Sequence, residues 1–456
     1  MGPSRLRNVA VVGASLLAFL SGCGGHVART ATMRTALDEN RPKEAIASLD
    51  TEMGAAKSED LPPNLDGDNA LFVLDRATIQ QSIAEHKWSQ RDYEAADKAI
   101  DMLDLSATAV DDIGKYMFSD DAGRYRAPPY EKLLVNTLNM VNYLETGNLE
   151  GARVEARRLA VMKSYYDTRV KADPSSILGL GGFLAGFTFE RSGDANEALR
   201  WYESALQFRG FGVLRGSVGL LMPSGTYTSP RLVEAAKNAP DLKPLAESEE
   251  GEIVVVVGYG RVPHKIANRV PIGLALTYAS GFIRPDDYAA ANRLAAQGLV
   301  TWVNFPTLGE EQGGFATPVC KVDDFTVPLE EAVNVTEEVR AEWKRVEGPI
   351  IASAITRMIT RYAAGAAANA VGNATSKDEG GLLGVLFSVV VQGTLTALDT
   401  PDTRSWETVP ARVAVSRMRV KPGEHVVSLD ARGIGKRQKV TVAKGGWALV
   451  SHFALR

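Results

Sequence analysis

The side chains best suited to acid–base chemistry and metal binding are scattered along this sequence. Neither an HExxH metal motif nor a GxSxG or SxxK nucleophile motif occurs. The pair Asp323 and Asp324 has no companion that indicates acid–base catalysis. The histidines stand singly, at His26, His86, His264, His425 and His452. The sequence therefore predicts no catalytic residue, no metal and no cofactor, and it favours a protein that is not an enzyme.

Cys23 follows a segment with the three parts of a secretory signal. Arg5 and Arg7 form a basic start, residues 9–20 form an apolar run, and Leu20, Ser21 and Gly22 lead directly to the cysteine. Such an apolar run would rise only about 18 Å as a helix, well short of a hydrocarbon core of about 30 Å. We therefore predict an exported chain with a signal peptide at residues 1–22.

The ending Leu-Ser-Gly-Cys resembles the bacterial lipobox. That resemblance implies cleavage before Cys23, attachment of a diacylglyceryl group to its thiol, and anchoring by more than one acyl chain such as palmitate. Gly24 stands where an aspartate would suggest retention at the inner membrane, so the outer membrane, facing the periplasm, is favoured. The alternative is an ordinary signal peptide followed by a chance cysteine.

Length and composition predict two or three globular domains stabilised by hydrophobic cores. The chain has 456 residues, of which 45% are hydrophobic. Once Cys23 is lipidated, Cys320 is the other cysteine, so no intramolecular disulfide can form. Cys320 lies in the apolar-flanked run from Val319 to Val322, which predicts a small buried side chain.

Residues 23–240 are predicted to form a helical domain. Residues 40–45, 91–96, 147–152 and 193–198 each combine a polar or glycine-containing turn with an alanine, at Ala45, Ala96, Ala152 and Ala198. These segments resemble the turn inside a tetratricopeptide unit, but their spacing is longer than its period of about 34 residues. We expect helical hairpins whose surface binds a protein partner. The alternative is that the helices merely pack on the rest of the chain.

Residues 241–400 are predicted to form a mixed α/β domain. Residues 253–257 are an unbroken apolar run, typical of a buried strand, and further strands are expected near 269–276, 299–305 and 319–327. A helix with an apolar stripe that includes Ile351 and Ile355 follows. Residues 380–398 contain no charge, which predicts a buried central helix, with a membrane-spanning helix as the alternative.

Residues 401–456 are predicted to form a small basic β module. From Arg404 to Arg456 there are 11 Lys and Arg against 3 Asp and Glu. Such a module could contact an anionic envelope polymer or an acidic protein patch. The candidate contacts are Arg404, Arg412, Arg417 and Arg419. The alternative is a solvated strand face on which basic residues guard a sheet edge.

Residues 130–159 and 402–420 together resemble a family of uncharacterised bacterial lipoproteins with tetratricopeptide-like N-terminal helices. The resemblance covers most of the chain and implies an α+β architecture in the cell envelope, with no activity attached. Relatives of that family are considered together with lipoprotein activators of penicillin-binding proteins, which suggests a cell-wall context.

The leading functional hypothesis is a membrane-anchored scaffold for a protein partner in cell-wall or outer-membrane assembly. The alternatives are an activator of a peptidoglycan synthase, and a glycan or cell-wall processing enzyme with a site between the two halves. Basic residues interleaved with aromatic ones are sparse in the helical half, so no nucleic-acid partner is predicted.

Overall fold

The computed structural model describes residues 25–102, 125–170, 175–237, 239–298, 302–313, 317–375 and 401–456. These residues form a helical layer and two four-stranded β-sheets, which confirms the predicted α+β fold class. Cys23 and residues 380–398 lie outside the described residues. No helix within the described ranges is both long enough and apolar enough to cross a bilayer.

Four helical hairpins make up most of the helical layer, and the short helix α1 (His26–Arg29) precedes them. Their small residues Ala45, Ala96, Ala152 and Ala198 are all fully buried, so close helix packing at these positions is confirmed. The hairpins are α2 (Ala31–Asp38) with α3 (Pro42–Met53), α4 (Asn69–Ser82) with α5 (His86–Ala99), α6 (Pro129–Glu145) with α7 (Leu149–Tyr165), and α8 (Ile177–Arg191) with α9 (Ala195–Leu206). Two shorter helices follow, α10 (Arg215–Leu221) and α11 (Pro230–Lys237).

A residue with left-handed backbone conformation lies at each hairpin turn. The φ angles are 57° at Asn40, 62° at Ala84, 71° at Gly147 and 80° at Gly193. The turn predicted at residues 91–96 is wrong, because these residues lie inside α5 and the chain turns between Ser82 and His86. Residues 83–85 are isoleucine, alanine and glutamate, so they carry none of the usual signals of a turn. Alanine also rarely adopts a positive φ.

The first sheet has the strand order β12–β3–β9–β8, and the second has the order β11–β10–β6–β7. The first contains β3 (Gly251–Tyr259), β8 (Glu330–Asn334), β9 (Arg412–Val420) and β12 (Trp447–Ala454). The second contains β6 (Val319–Val322), β7 (Phe325–Val327), β10 (Gly423–Ala431) and β11 (Ile434–Val442). A short parallel pair, β1 (Asp101–Met102) and β2 (Arg126–Ala127), lies apart from both.

Strand β3 is buried along its whole length, as the apolar run predicts, because each of its faces packs on a different layer. Val254 and Val256 belong to the core shared with the helices, whereas Ile253, Val255 and Val257 pack against the second sheet. The neighbours of β3 are β9 and β12, and β6 pairs with β10. Both sheets therefore combine strands from either side of the predicted boundary at residue 401.

Residues 265–298 and 302–308, which we call the β4–β5 unit, share a smaller core with a long helix that follows them in the sequence. The unit consists of the antiparallel strands β4 (Lys265–Pro271) and β5 (Trp302–Leu308) with the helices α12 (Ile272–Tyr278) and α13 (Pro285–Ala296). It packs on the long helix α14 (Val335–Thr375), where Ile351 and Ile355 are fully buried. The predicted strand at 269–276 is correct only to Pro271, after which the chain is helical. The predicted strand at 319–327 is a hairpin that turns at Asp323, whose φ is 54°.

Candidate functional site

A group of buried polar side chains surrounds residues 402–409, the segment that leads into β9, which we call the seam segment. Trp406 is 1% exposed and inserts into the α4–α5 hairpin. Its indole Nε1–H donates a hydrogen bond to Thr78 Oγ1 at 3.1 Å, and its ring packs edge-on against Tyr93 at 5.9 Å between centroids. The seam segment therefore ties the helical layer to the first sheet.

Asp75 of α4 anchors the backbone of the seam segment. Its Oδ1 accepts hydrogen bonds from Glu407 N–H at 3.0 Å, from Thr408 N–H at 2.9 Å and from the Thr408 hydroxyl at 2.9 Å. Burial, and then the charge of Glu407, raise the pKa of Asp75 to about 7. A carboxyl group with that pKa could exchange a proton near neutral pH.

His26 of α1 joins this group from the N-terminal side. Its Nδ1 lies 3.3 Å from Asp68 Oδ2, its Nε2 lies 3.8 Å from Glu407 Oε1, and its ring stacks on Phe72. Burial lowers the pKa of His26, but Asp68 and Glu407 outweigh that effect, so the pKa is raised. Thr30 and Arg34 also bind Glu407, at 3.0 and 2.7 Å.

This polar cluster has the residue types of an acid–base site but lies inside the protein. His26, Asp75 and Glu407 are 1%, 0% and 2% exposed. Two surface clefts of the described part of the chain are lined by other residues. Within the described ranges, no group of three or more His, Cys, Asp or Glu side chains is arranged to hold a metal ion. The geometry therefore makes the cluster a joint that fixes α1 to both halves of the fold.

The two clefts also lack a pair of carboxylates. One, of about 290 Å³, lies between the turns of the first two hairpins and the strands β11 and β12, and neither Asp nor Glu lines it. The other, of about 480 Å³, has Glu330 as its single acidic residue. The Glu330 carboxylate accepts hydrogen bonds from the backbone N–H groups of Gly212 and Val213, at 2.7 and 2.9 Å.

Arg417 and Arg419 lie on β9 and share Glu252 as a partner. The Arg417 guanidinium, 4% exposed, binds Glu190 at 2.8 Å and Glu252 at 2.7 Å. Arg419, 12% exposed, lies 3.6 Å from Glu252. Burial raises the pKa of Glu190, but Arg417 and Arg191 outweigh it and hold that pKa well below its usual value.

Arg404 and Arg412 lie at two other places in the fold. Arg404 is buried and binds Asp402 at 2.8 Å, whereas Arg412 binds Glu311 at 3.1 Å. The four predicted arginines therefore do not line one groove, and each has an acidic partner within the chain. Contact between these four residues and an anionic partner stays a prediction, and this placement adds no support to it.

Other exposed cations, which were not among the predicted candidate contacts, lie on the outer face of the second sheet. Ser428 of β10 has Arg437 of β11 on one side and Lys321 of β6 on the other, and both cations are exposed. Strand alternation could have separated these residues from the buried arginines of β9, but only with knowledge of which face of each strand packs inward.

Cys320 is confirmed as a buried side chain, 1% exposed on β6. Burial raises the pKa of its thiol to about 11, so the thiol stays protonated at neutral pH and is a poor nucleophile.

The sequence analysis also missed His26, Asp75 and Glu407. The sequence marks the seam segment by its resemblance to a family and by the candidate contact Arg404, and no local pattern links His26 to a carboxylate hundreds of residues later. The chain matches no protein-family profile, no curated protein and no solved structure.

Proposed function

We propose that this chain is a lipid-anchored scaffold of the bacterial cell envelope, facing the periplasm from the outer membrane, that binds a protein partner without catalysing a reaction. The observation that carries the proposal is the position of α1. His26 follows Cys23 by three residues, and its side chain is locked between Asp68 and Glu407. An extended chain spans at most about 3.6 Å per residue, so Cys23 lies within about 11 Å of this joint.

A lipid on Cys23 would therefore hold the body of the protein directly. Val27 N–H bonds to Thr403 Oγ1 at 3.3 Å, and Arg34 binds Glu407 at 2.7 Å, so α1 and α2 are attached to the seam segment. The seam segment continues into β9, in the centre of the first sheet. A short attachment limits the orientations that the protein can take at the membrane, which suits a scaffold.

The outer stripe of α7 is the best-supported surface for the protein partner. Four exposed residues on one side of α7 follow one another at helical spacing: Glu150, Val154, Arg157 and Val161. The residues on the opposite side of the helix are buried: Ala152, Ala156 and Leu159. Val154 and Val161 are 44% and 70% exposed. Val154 and Val161 lie two helical turns apart on one side of α7, so one partner could contact both.

Site-specific photo-crosslinking in intact bacteria tests the proposal. A photoreactive residue replaces Val161 in the full chain, with Arg200 of α9 as the matched exposed control, since its side chain is 57% exposed. We expect one discrete crosslinked protein from position 161, none from position 200, and loss of the product in a Cys23→Ser chain. Equal crosslinking at both positions, or none at position 161, would contradict the proposal.

A further inference from the structure

Large apolar side chains are concentrated on the outside of the β4–β5 unit. Eleven large hydrophobic residues are exposed among the described residues, and five of them belong to this unit. They are Ile266 (38%), Leu274 (43%), Tyr278 (51%), Tyr288 (45%) and Trp302 (42%). The core of the unit is already filled by other residues, among them Val270, Val303 and Phe305. Clustered exposure of this kind marks a surface that meets another apolar phase or protein.

The positions of these residues bring three of them to one end of the unit. Leu274 and Tyr278 are four residues apart on α12, so they share one face of that helix. Trp302 is the cross-strand neighbour of Pro271, the residue that precedes α12. The guanidinium of Arg269 lies over the Trp302 ring, 5.7 Å from its centroid. Tyr, Trp and Arg side chains of this kind are favoured at a membrane–water interface.

The unit also begins where the proposed anchor emerges. Helix α1 contacts β4, and the backbone N–H of Lys265 donates a hydrogen bond to Ser405 Oγ in the seam segment at 3.3 Å. Ile266 is therefore next to the joint that holds His26. Strand β4 advances about 3.3 Å per residue, which places its far end about 20 Å from that joint.

We infer that the β4–β5 unit lies on the same bilayer that holds the acyl chains of Cys23, with Leu274, Tyr278 and Trp302 at the headgroup level. The inference rests on the proposed lipid anchor. A bilayer is the occupant that the geometry favours, because an anchor within about 11 Å of His26 puts lipid beside the first residues of β4. Anchoring by acyl chains and by an amphipathic surface together is stronger than by either alone.

An environment-sensitive fluorophore tests this placement. The full chain is produced with its signal peptide, purified with its lipid and reconstituted into vesicles of phosphatidylethanolamine and phosphatidylglycerol. Tyr278→Cys carries the fluorophore NBD, Leu274→Cys provides a second site, and Arg200→Cys on α9, where the native side chain is 57% exposed, is the exposed control. The native Cys320 is buried and has a raised pKa, so it competes little for the label.

We expect a blue-shifted emission, a several-fold higher intensity and protection from aqueous dithionite at positions 274 and 278, and water-like emission at position 200. Water-like emission at 274 and 278 in protein that floats with the vesicles would overturn the inference and leave the anchor intact. Protein that does not float would overturn the anchor and the inference with it. Protection of position 278 in a Cys23→Ser chain without vesicles would show that the protein itself covers this surface, and would also overturn the inference.

Discussion

The surroundings of the seam segment and the β4–β5 unit differ in which kinds of side chain they bury and which they expose. Around the seam segment, ionisable groups such as Asp75 and Glu407 are buried and hydrogen-bonded within the chain. The β4–β5 unit instead exposes apolar groups such as Tyr278 and Trp302. Burying a charge stabilises little in itself, but a network of paired charges permits few other arrangements. Exposed apolar side chains add little to folding, so their concentration indicates a surface used for contact. The difference indicates that the polar groups around the seam segment fix how the layers of the protein pack, whereas the β4–β5 unit offers a surface for contact with other molecules.

The largest expected effect comes from removing a buried cation. Arg417→Ala leaves the carboxylates of Glu190 and Glu252 without their main partner, and breaking a buried ion pair costs about 3–5 kcal/mol. Urea unfolding of the detergent-solubilised full chain, followed by circular dichroism, measures this loss. The matched change Arg437→Ala removes an exposed cation and should alter the free energy of unfolding by less than about 0.5 kcal/mol. Similar losses in both variants would contradict the claim that the buried ion pairs of Arg417 stabilise the fold more than an exposed cation does.

The next effect is a dependence of stability on pH. Burial raises the pKa values of Asp75 and Glu131 to about 7, from ordinary values of 3.8 and 4.5. Between about pH 4.5 and 7 the folded chain keeps protons that the unfolded chain has lost, so the free energy of unfolding falls as pH rises. Each group contributes a slope of at most about 1.4 kcal/mol per pH unit.

Asp75→Asn provides the control for this dependence. The variant retains an oxygen that accepts the hydrogen bonds of Glu407 and Thr408 but cannot ionise. Thermal unfolding measured from pH 4.5 to 7.5 should therefore show a shallower decline than in the parent chain. An unchanged slope would mean that Asp75 does not titrate in this range.

A smaller loss is expected from Trp406→Phe. The substitution keeps an aromatic ring against Tyr93 but removes the donor to Thr78 and leaves a small cavity, at a cost of about 1–3 kcal/mol. Trp302→Phe, in the β4–β5 unit, changes a side chain that is 42% exposed and should cost less than about 0.5 kcal/mol. The midpoints of urea unfolding compare the two variants directly, and equal costs would contradict the assignment of their roles.

The smallest effect should be a gain in stability. Ala84 holds a φ of 62°, and Ala84→Gly removes that strain while adding some entropy to the unfolded chain, for a net gain of about 0.5–1 kcal/mol. Ala96→Gly, inside α5 of the same hairpin, should instead cost about 1 kcal/mol. Thermal unfolding of both variants checks the sign, and a loss at position 84 would contradict the strained turn.

Local features of the fold could be predicted from the sequence wherever the residue types strongly favour one backbone conformation. Glycine or asparagine indicates the turns at Asn40, Gly147 and Gly193, and the apolar run indicates strand β3. The turn at Ala84 could not be found in this way, because tertiary packing imposes a conformation that its residue type disfavours.

The candidate site could be predicted far less well, because it depends on contacts between distant segments. Charge counting identified the basic C-terminal part but did not show that Arg417 faces inward, toward Glu190 and Glu252. The partnership of His26 with Asp68 and Glu407 joins residues from opposite ends of the chain. Such pairs follow from the packing of layers and leave no periodic pattern in the sequence.

Mass spectrometry of the N-terminal peptide shows whether the protein is anchored by lipid next to α1. The full sequence is expressed in a bacterium, and the protein is extracted from its envelope and digested. We expect a mature chain that begins at Cys23 and carries a diacylglyceryl group on that cysteine, so that the acyl chains are attached three residues before His26. A mature chain that begins elsewhere, or one that carries an unmodified Cys23, would contradict the proposed lipid anchor.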